Sequence, residues 1–175
     1  MHLHANGFLL RPLVADDAPA LAAAVRESLG SLGAWMPWVH PAYGEADARD
    51  WIAFCTAARL DGSAHEFGIV GPDGGLLGAA GLNQFNRPNQ FCNLGYWVRR
   101  TAQRRGAALA AVEALARYAF DHLALTRIEI VVAEHNQPSL AVALKAGATL
   151  EGLARNRLVL HGRPVAAHML ALLPA

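Results

Sequence analysis

The chain contains 175 residues and carries a formal net charge of +1 at pH 7; 54% of the residues are apolar and 17% are charged. This composition excludes a disordered chain, and the length fits one compact domain spanning residues 1–175. A charge so close to zero argues against general electrostatic recruitment of nucleic acid or an anionic membrane. No apolar run approaches the roughly 18 residues of a membrane span, and the first residues lack a signal-peptide pattern. We therefore expect a soluble, cytoplasmic protein.

The first third of the chain predicts one short strand followed by two helices. Residues 8–11 form the predicted strand. Asp16 and Asp17 then offer N-cap chemistry, and apolar residues at helical spacing predict a first helix that two glycines end. A second helix is predicted over residues 45–60.

The middle of the chain predicts three strands and the longest helix. Residues 66–70 and 76–82 flank the turn sequence Gly71–Gly75, so they should form an antiparallel hairpin. A third strand is predicted over 91–98. Apolar side chains spaced three and four apart predict a helix from residue 106 to about residue 122.

The last third predicts a strand over residues 128–132, a short helix over 139–146 that Gly147 ends, and a hairpin of strands 153–160 and 165–172. Strands and helices are interspersed along the whole chain. This order predicts an α+β fold in which one mixed sheet carries helices on both faces.

Cysteine and histidine usage predicts no cross-link and no metal centre. Cys55 and Cys92 lie far apart in apolar sequence, which favours two buried free thiols in a reducing compartment over a disulfide. None of the eight histidines shows a metal-binding spacing such as H-E-x-x-H. We expect His2 and His4 to lie in a loose terminus.

The segment 99–108 connects a predicted strand directly to the long helix and is rich in arginine. A helix N-terminus carries unpaired N–H groups and a partial positive charge, so it favours an anion. Gly106 permits a tight turn, and Ala107 and Ala108 keep side chains clear of a diphosphate. Further positive charge comes from Arg99, Arg100, Arg104 and Arg105. Taken alone, the segment also fits a solvated arginine cluster at an ordinary helix start.

The spacing Gln103-x-x-Gly106-x-Ala108 resembles the Q/R-x-x-G-x-G/A signature of the GNAT acetyltransferases, whose loop amides hold the coenzyme A pyrophosphate. Residues 95–98 resemble the preceding strand, which pairs with the pantetheine arm, and residues 136–139 resemble the N-x-x-S that opens the following helix. The resemblance implies acetyl-coenzyme A as cofactor and a mixed, mostly antiparallel sheet of about seven strands. The implied coenzyme contacts are Tyr96, Trp97, Val98, Arg99, Gln103, Arg104, Arg105, Gly106, Ala107, Ala108, Asn136 and Ser139.

Two further segments, 35–38 and 151–155, resemble the branch that acetylates ribosomal-protein N-termini at serine or alanine. This implies direct attack of a protein α-amine on the thioester. Acceptor contacts are expected from Trp35, Trp38, Asn83 and Asn93. Tyr43 and Trp51 belong to the same aromatic region, which we expect to wall the acceptor side. A small-molecule amine as acceptor, or a catalytically weak coenzyme A sensor, remain the alternatives, and the sequence leaves open whether the chain forms a homodimer.

Ser139 is the candidate proton donor for the thiolate leaving group; the alternative is that Asn136 and Ser139 only cap a helix. The general base is unassigned. The family branch often carries an acidic residue where this chain has Asn93, and an Asp where Ala166 and Ala167 stand. Other ionisable candidates near the expected cleft are Glu134, His135 and His168.

Overall fold

The computed structural model describes residues 1–174. Its strands are β1 (Leu3–Ala5), β2 (Phe8–Arg11), β3 (His65–Val70), β4 (Leu76–Asn86), β5 (Phe91–Val98), β6 (Arg127–Ala133), β7 (Thr149–Leu160) and β8 (Arg163–Leu172). Its α-helices are α1 (Ala18–Glu27), α2 (Leu29–Leu32), α3 (Glu45–Asp61), α4 (Ala107–Asp121) and α5 (Gln137–Lys145). Short 3₁₀ turns occupy Ala15–Asp17 and Arg100–Ala102.

All eight strands form one sheet in the order β1-β2-β3-β4-β5-β6-β8-β7. Every neighbouring pair is antiparallel except β5 and β6, which are parallel. The predicted α+β class and the mostly antiparallel sheet are therefore confirmed. The strand that was not predicted is β1. It pairs with β2 through a turn at Asn6 and Gly7, both of which have positive φ. The expectation of a loose terminus was wrong for His4, which pairs with Leu9.

Helices cover both faces of the sheet, as predicted. On one face α1 and α3 bury apolar side chains such as Leu21, Val25 and Ile52 against β3 and β4. On the other face α4 lies across the centre of the sheet, and α5 packs beside it. Burial of these amphipathic helix faces is the main favourable contribution to the fold.

Two helix boundaries differ from the predictions for identifiable reasons. The first helix ends at Glu27, and the chain continues as the single turn α2, which contains Gly30. The break lies at Ser28, which is fully buried and whose hydroxyl accepts a hydrogen bond from the N–H of Arg100 at 2.9 Å. Helix α5 begins two residues before the predicted start, because Asn136 caps it and Pro138 occupies its first turn.

Both cysteines are buried, as predicted, and their thiols are free in this structure. No helix within residues 1–174 is long and apolar enough to cross a membrane.

Candidate active site

The sheet opens at the parallel junction between β5 and β6. Strands β5 and β6 pair over three positions, from Phe91 with Arg127 to Asn93 with Glu129. Beyond that point residues 94–98 still pair with β4, and residues 130–133 still pair with β8, but the two segments do not pair with each other. Each therefore presents one unpaired backbone edge to the space between them. Unpaired N–H and C=O groups need a ligand or water, so this splay is a natural place for an extended, amide-containing ligand.

Helix α4 begins at the carboxyl end of β5, on the widening side of the splay. Its N-cap, Gly106, has φ +86°, a conformation that favours glycine, and a Cβ there would meet nothing within 4 Å. Among residues 1–174, no backbone carbonyl accepts a hydrogen bond from the N–H groups of Gly106, Ala107 or Ala108. Unbonded N–H groups at a helix start favour an anion, so we expect one to bind at this turn.

Glu27 anchors the loop before α4. Its carboxylate pairs with the guanidinium of Arg99 and accepts hydrogen bonds from the N–H (3.2 Å) and hydroxyl (2.8 Å) of Thr101. The Arg99 guanidinium also donates to the carbonyl of Leu76 at 3.3 Å. Arg99, which is expected to add charge at the diphosphate, therefore uses its side chain to position the loop in this structure.

The other signature side chains remain at the loop surface. Gln103 donates through Nε2 to the carbonyl of Val98 at 3.3 Å, which closes the loop onto the end of β5. Arg104 and Arg105 are exposed, and Arg104 adopts φ +62°. No acidic partner in residues 1–174 forms a salt bridge with either arginine, so both are available to an anion at the α4 turn.

Tyr96 and Ser139 connect the splayed half of β5 to the first turn of α5. The Tyr96 hydroxyl donates to the Ser139 carbonyl at 2.8 Å, and the Ser139 hydroxyl donates to the Tyr96 oxygen at 3.1 Å. Burial raises the pKa of Tyr96. Helix capping is performed by Asn136, whose side chain accepts from the N–H of Ser139 at 3.3 Å. The hydroxyl of Ser139 is therefore not needed for capping and contacts Tyr96 instead.

The predicted aromatic region divides into two groups. Trp38, which is 43% exposed, packs against Trp97 of β5 and Tyr43, with ring centroids 6.1 and 5.8 Å away. Trp51 instead stacks on Phe54 at 5.3 Å on the outer surface of α3. Trp35 pairs with no other aromatic ring in the described part of the chain. Of the two predicted acceptor tryptophans, Trp38 thus joins β5 and Trp35 does not.

Asn83 and Asn93 are brought together and are hydrogen-bonded. The chain of hydrogen bonds continues to Glu66, which was not among the predicted site residues. Asn93 Nδ2 donates to Asn83 Oδ1 at 3.0 Å, and Asn83 Nδ2 donates to Glu66 Oε1 at 3.0 Å. Glu66 lies on β3 and is only 8% exposed. The sequence signal was a lone carboxylate within an otherwise apolar predicted strand.

The remaining base candidates are spread over the end of the splay. His168 Nε2 lies 3.1 Å from the carbonyl of Glu134, whose N–H bonds to the carbonyl of Ala166. His135 is exposed. Glu129, the strand neighbour of Asn93, is paired with Arg127 at 3.1 Å. Within residues 1–174 no group of three His, Cys, Asp or Glu side chains could hold a metal ion.

Comparison with known proteins decides the family. The model of the acetyltransferase (GNAT) domain family matches residues 8–149, which include the splay, the α4 turn and α5. The chain belongs to the GNAT acetyltransferase family. It is therefore an acetyl-CoA-dependent acyltransferase, and the unpaired strand edges and the open α4 turn fit that coenzyme.

Relatives of this GNAT chain include proteins named for ribosomal substrates. It is 32% identical over 158 residues to "Putative ribosomal N-acetyltransferase YdaF" of Bacillus subtilis, covering 87% of this chain and 84% of that protein. It is also 32% identical to a structure described as a putative ribosomal-protein-serine acetyltransferase from Vibrio cholerae, with a TM-score of 0.88 and coverage of 99% and 98%. Mycobacterium smegmatis RimJ, solved with CoA-disulfide, is 24% identical with a TM-score of 0.89 and coverage of 99% and 86%, which supports the fold.

Proposed function

We propose that this GNAT chain transfers the acetyl group of acetyl-CoA to the α-amine of a protein N-terminus. The observation that carries the proposal is the 32% identity, over nearly the full length of both chains, to a protein described as a ribosomal-protein-serine acetyltransferase. The acceptor-side aromatic pair of Trp38 and Trp97 is compatible with it.

The coenzyme lies along the splay in this proposal. Its diphosphate oxygens accept hydrogen bonds from the N–H groups of Gly106, Ala107 and Ala108. Positive charge near the diphosphate comes from Arg104 and Arg105 of the loop. The pantetheine amides pair with the free edges of residues 94–98 and 130–133, because those edges have no strand partner across the splay. Asn136 holds the α5 turn beside this arm.

Acetyl transfer requires a proton for the departing thiolate. Ser139 is the proposed donor, and the Tyr96 oxygen accepts a hydrogen bond from its hydroxyl and so holds it in position. This pair lies where the free edge of β5 meets α5, at the end of the proposed pantetheine arm. The reaction then needs no covalent enzyme intermediate.

The acceptor class follows from proton affinity. Neutralising a lysine ε-amine with a pKa of about 10.4 at pH 7 costs roughly 4.6 kcal/mol, whereas an α-amine with a pKa of about 7.7–8.0 costs about 1 to 1.4 kcal/mol. An α-amine therefore places the smaller demand on the site. Trp38 and Trp97 supply an aromatic wall for the first acceptor residue.

A thiol-release assay with a matched panel of acceptors tests the proposal. The panel contains peptides with free N-terminal serine or alanine, the same peptides with a blocked N-terminus and one internal lysine, and a polyamine. Turnover confined to the free N-termini supports the proposal, and preference for the polyamine supports a small-molecule acceptor. Coenzyme A binding in calorimetry without thiol release from any acceptor would support the sensor alternative.

A further inference from the structure

The carboxylate of Glu66 fits a space on β4 that Gly81 and Asn83 provide. Its side chain crosses from β3 over β4 at Gly81, its register partner, where a Cβ would overlap the carboxylate group. Glycine at position 81 therefore leaves room for the carboxylate above the sheet. Asn83, two residues further along β4, then donates to Oε1 at 3.0 Å.

One oxygen of this carboxylate remains without a protein partner. Within residues 1–174, no hydrogen bond to Glu66 Oε2 is formed, yet Oε2 is not among the fully buried orphan atoms, so it keeps access to solvent. It is the carboxylate oxygen nearest the Cβ position of Gly81. A largely buried carboxylate with one oxygen lacking a hydrogen-bond donor costs free energy, and a ligand that donates to this oxygen would reduce that cost.

The neighbouring position on β5, Gly95, has open space above it. Gly81 is in register with Gly95 on β5, and a Cβ built on Gly95 meets no atom within 4 Å. Asn93 lies on one side of Gly95 and Trp97 on the other, both on the same face of the strand, and Trp38 packs against Trp97. Gly95 also belongs to the half of β5 that lines the splay, so this space adjoins the proposed thioester position.

The surroundings of this space suit an ammonium group. A carboxylate oxygen and an amide are at one end, and two indole rings are at the other, which is the combination that attracts a cation. Burial raises the pKa of Glu66, although the hydrogen bond from Asn83 and the charge of Arg59 act against that rise. Arg59 and Cys55 of α3 are the ionisable groups that face Glu66 from the helix above it.

We propose that Glu66 is the general base of the transfer, and that it receives a proton from the acceptor ammonium group held above Gly95. This proposal rests on the proposed function. The ammonium gives one proton to Glu66, the neutral nitrogen attacks the thioester carbon, and the carbon–sulfur bond breaks. The thiolate takes a proton from Ser139, which regains one from water. The nitrogen loses its second proton to water and keeps the third in the amide, and Glu66 returns its proton to water. Position 93, where the family branch often carries an acidic residue, is Asn in this chain, and Glu66 on β3 supplies the carboxylate instead.

The test compares wild type, Glu66→Gln and the matched control Glu45→Gln, whose carboxylate forms an exposed pair with Arg49. With saturating acetyl-CoA and an N-terminal serine peptide, Glu66→Gln should lower kcat/KM about 100-fold at pH 7. At pH 9, where most α-amines are already neutral, the deficit should shrink to about 10-fold or less. Glu45→Gln should match wild type at both pH values.

Three measurements separate the outcomes. The coenzyme A Kd of Glu66→Gln should stay within about twofold of wild type, and its urea midpoint should not fall, because a buried carboxylate is replaced by a neutral isostere. Full activity of Glu66→Gln, or an equal deficit at pH 7 and pH 9, would overturn the assignment of the base alone. A wild-type chain that binds no coenzyme A or acetylates no amine would overturn the proposed function and the base together.

Discussion

The hydroxyl of Ser139 donates a hydrogen bond to the phenolic oxygen of Tyr96 across 3.1 Å, while the Tyr96 hydroxyl donates to the main-chain carbonyl of Ser139 at 2.8 Å. The two residues are 43 positions apart in the chain. Their contact joins α5 to residues 94–98 of β5, which do not pair with β6. The Tyr96 oxygen therefore holds the Ser139 hydroxyl in place beside the unpaired part of β5.

Removing either hydroxyl should slow the chemical step more than it weakens coenzyme binding. Ser139→Ala and Tyr96→Phe are each expected to lower kcat by about 10- to 100-fold, because general acid catalysis typically contributes at least that much. Calorimetry should show coenzyme A affinity within about threefold of wild type for both variants. Wild-type kcat in Ser139→Ala would leave that side chain with a packing role only.

A carboxylate at the start of α4 should abolish coenzyme binding. Gly106→Glu places a negative charge beside the proposed diphosphate site and a side chain at φ +86°. The matched control is Gly162→Glu, in the β7–β8 turn, where φ is +74° and a Cβ also meets open space. The control shares the backbone strain and the charge but should retain wild-type affinity in calorimetry. Equal loss in both variants would indicate a general folding defect instead.

The Glu27 anchor should make stability depend on pH at the acid end. The hydrogen bond from Arg99, aided by Thr101, holds the pKa of Glu27 at about 2. A pKa lowered by folding stabilises the protein above the unfolded value of roughly 4.3, and that contribution is lost as pH falls toward 2. Glu27→Gln should therefore lower the free energy of unfolding by about 1–2 kcal/mol at pH 7.

Urea unfolding of Glu27→Gln and wild type at several pH values checks this. The difference between the two should be constant near neutrality and disappear close to pH 2. Glu45→Gln, which breaks only the exposed pair with Arg49, should cost less than about 0.5 kcal/mol. A difference for Glu27→Gln that persisted unchanged at pH 2 would contradict the assigned ion pair.

Both thiols should be unreactive in the folded protein. Burial raises the pKa of Cys55 and of Cys92 to about 12, with the charges of Glu66 and Glu129 adding to the respective shifts. Little thiolate is present at pH 8, and the sulfur atoms are inaccessible. An aromatic disulfide reagent should label neither cysteine in the native protein and both in urea. Rapid labelling of the native protein would contradict their burial.

Much of the fold was predictable because its signals are local. The glycine-rich turn 71–75 set the β3–β4 hairpin, and apolar spacing over α4 set the longest helix. Strand β5 was predicted with its observed bounds, Phe91–Val98. The α4 turn was also readable, since Gly106 must occupy a conformation that other residues avoid.

The pairings that build the site required the tertiary structure. Glu27 meets Arg99 from 72 residues away, and Glu66 reaches Asn93 only through Asn83 on the strand between them. Backbone conformation depends on residues a few positions apart, so sequence patterns determined which segments became helices or strands. Strand order and register decide which side chains become neighbours, and these arise from burying all helix and sheet faces at once. For that reason the sequence predicted the glycine turn at the start of α4, whereas the sheet decided which carboxylate is hydrogen-bonded to Asn83.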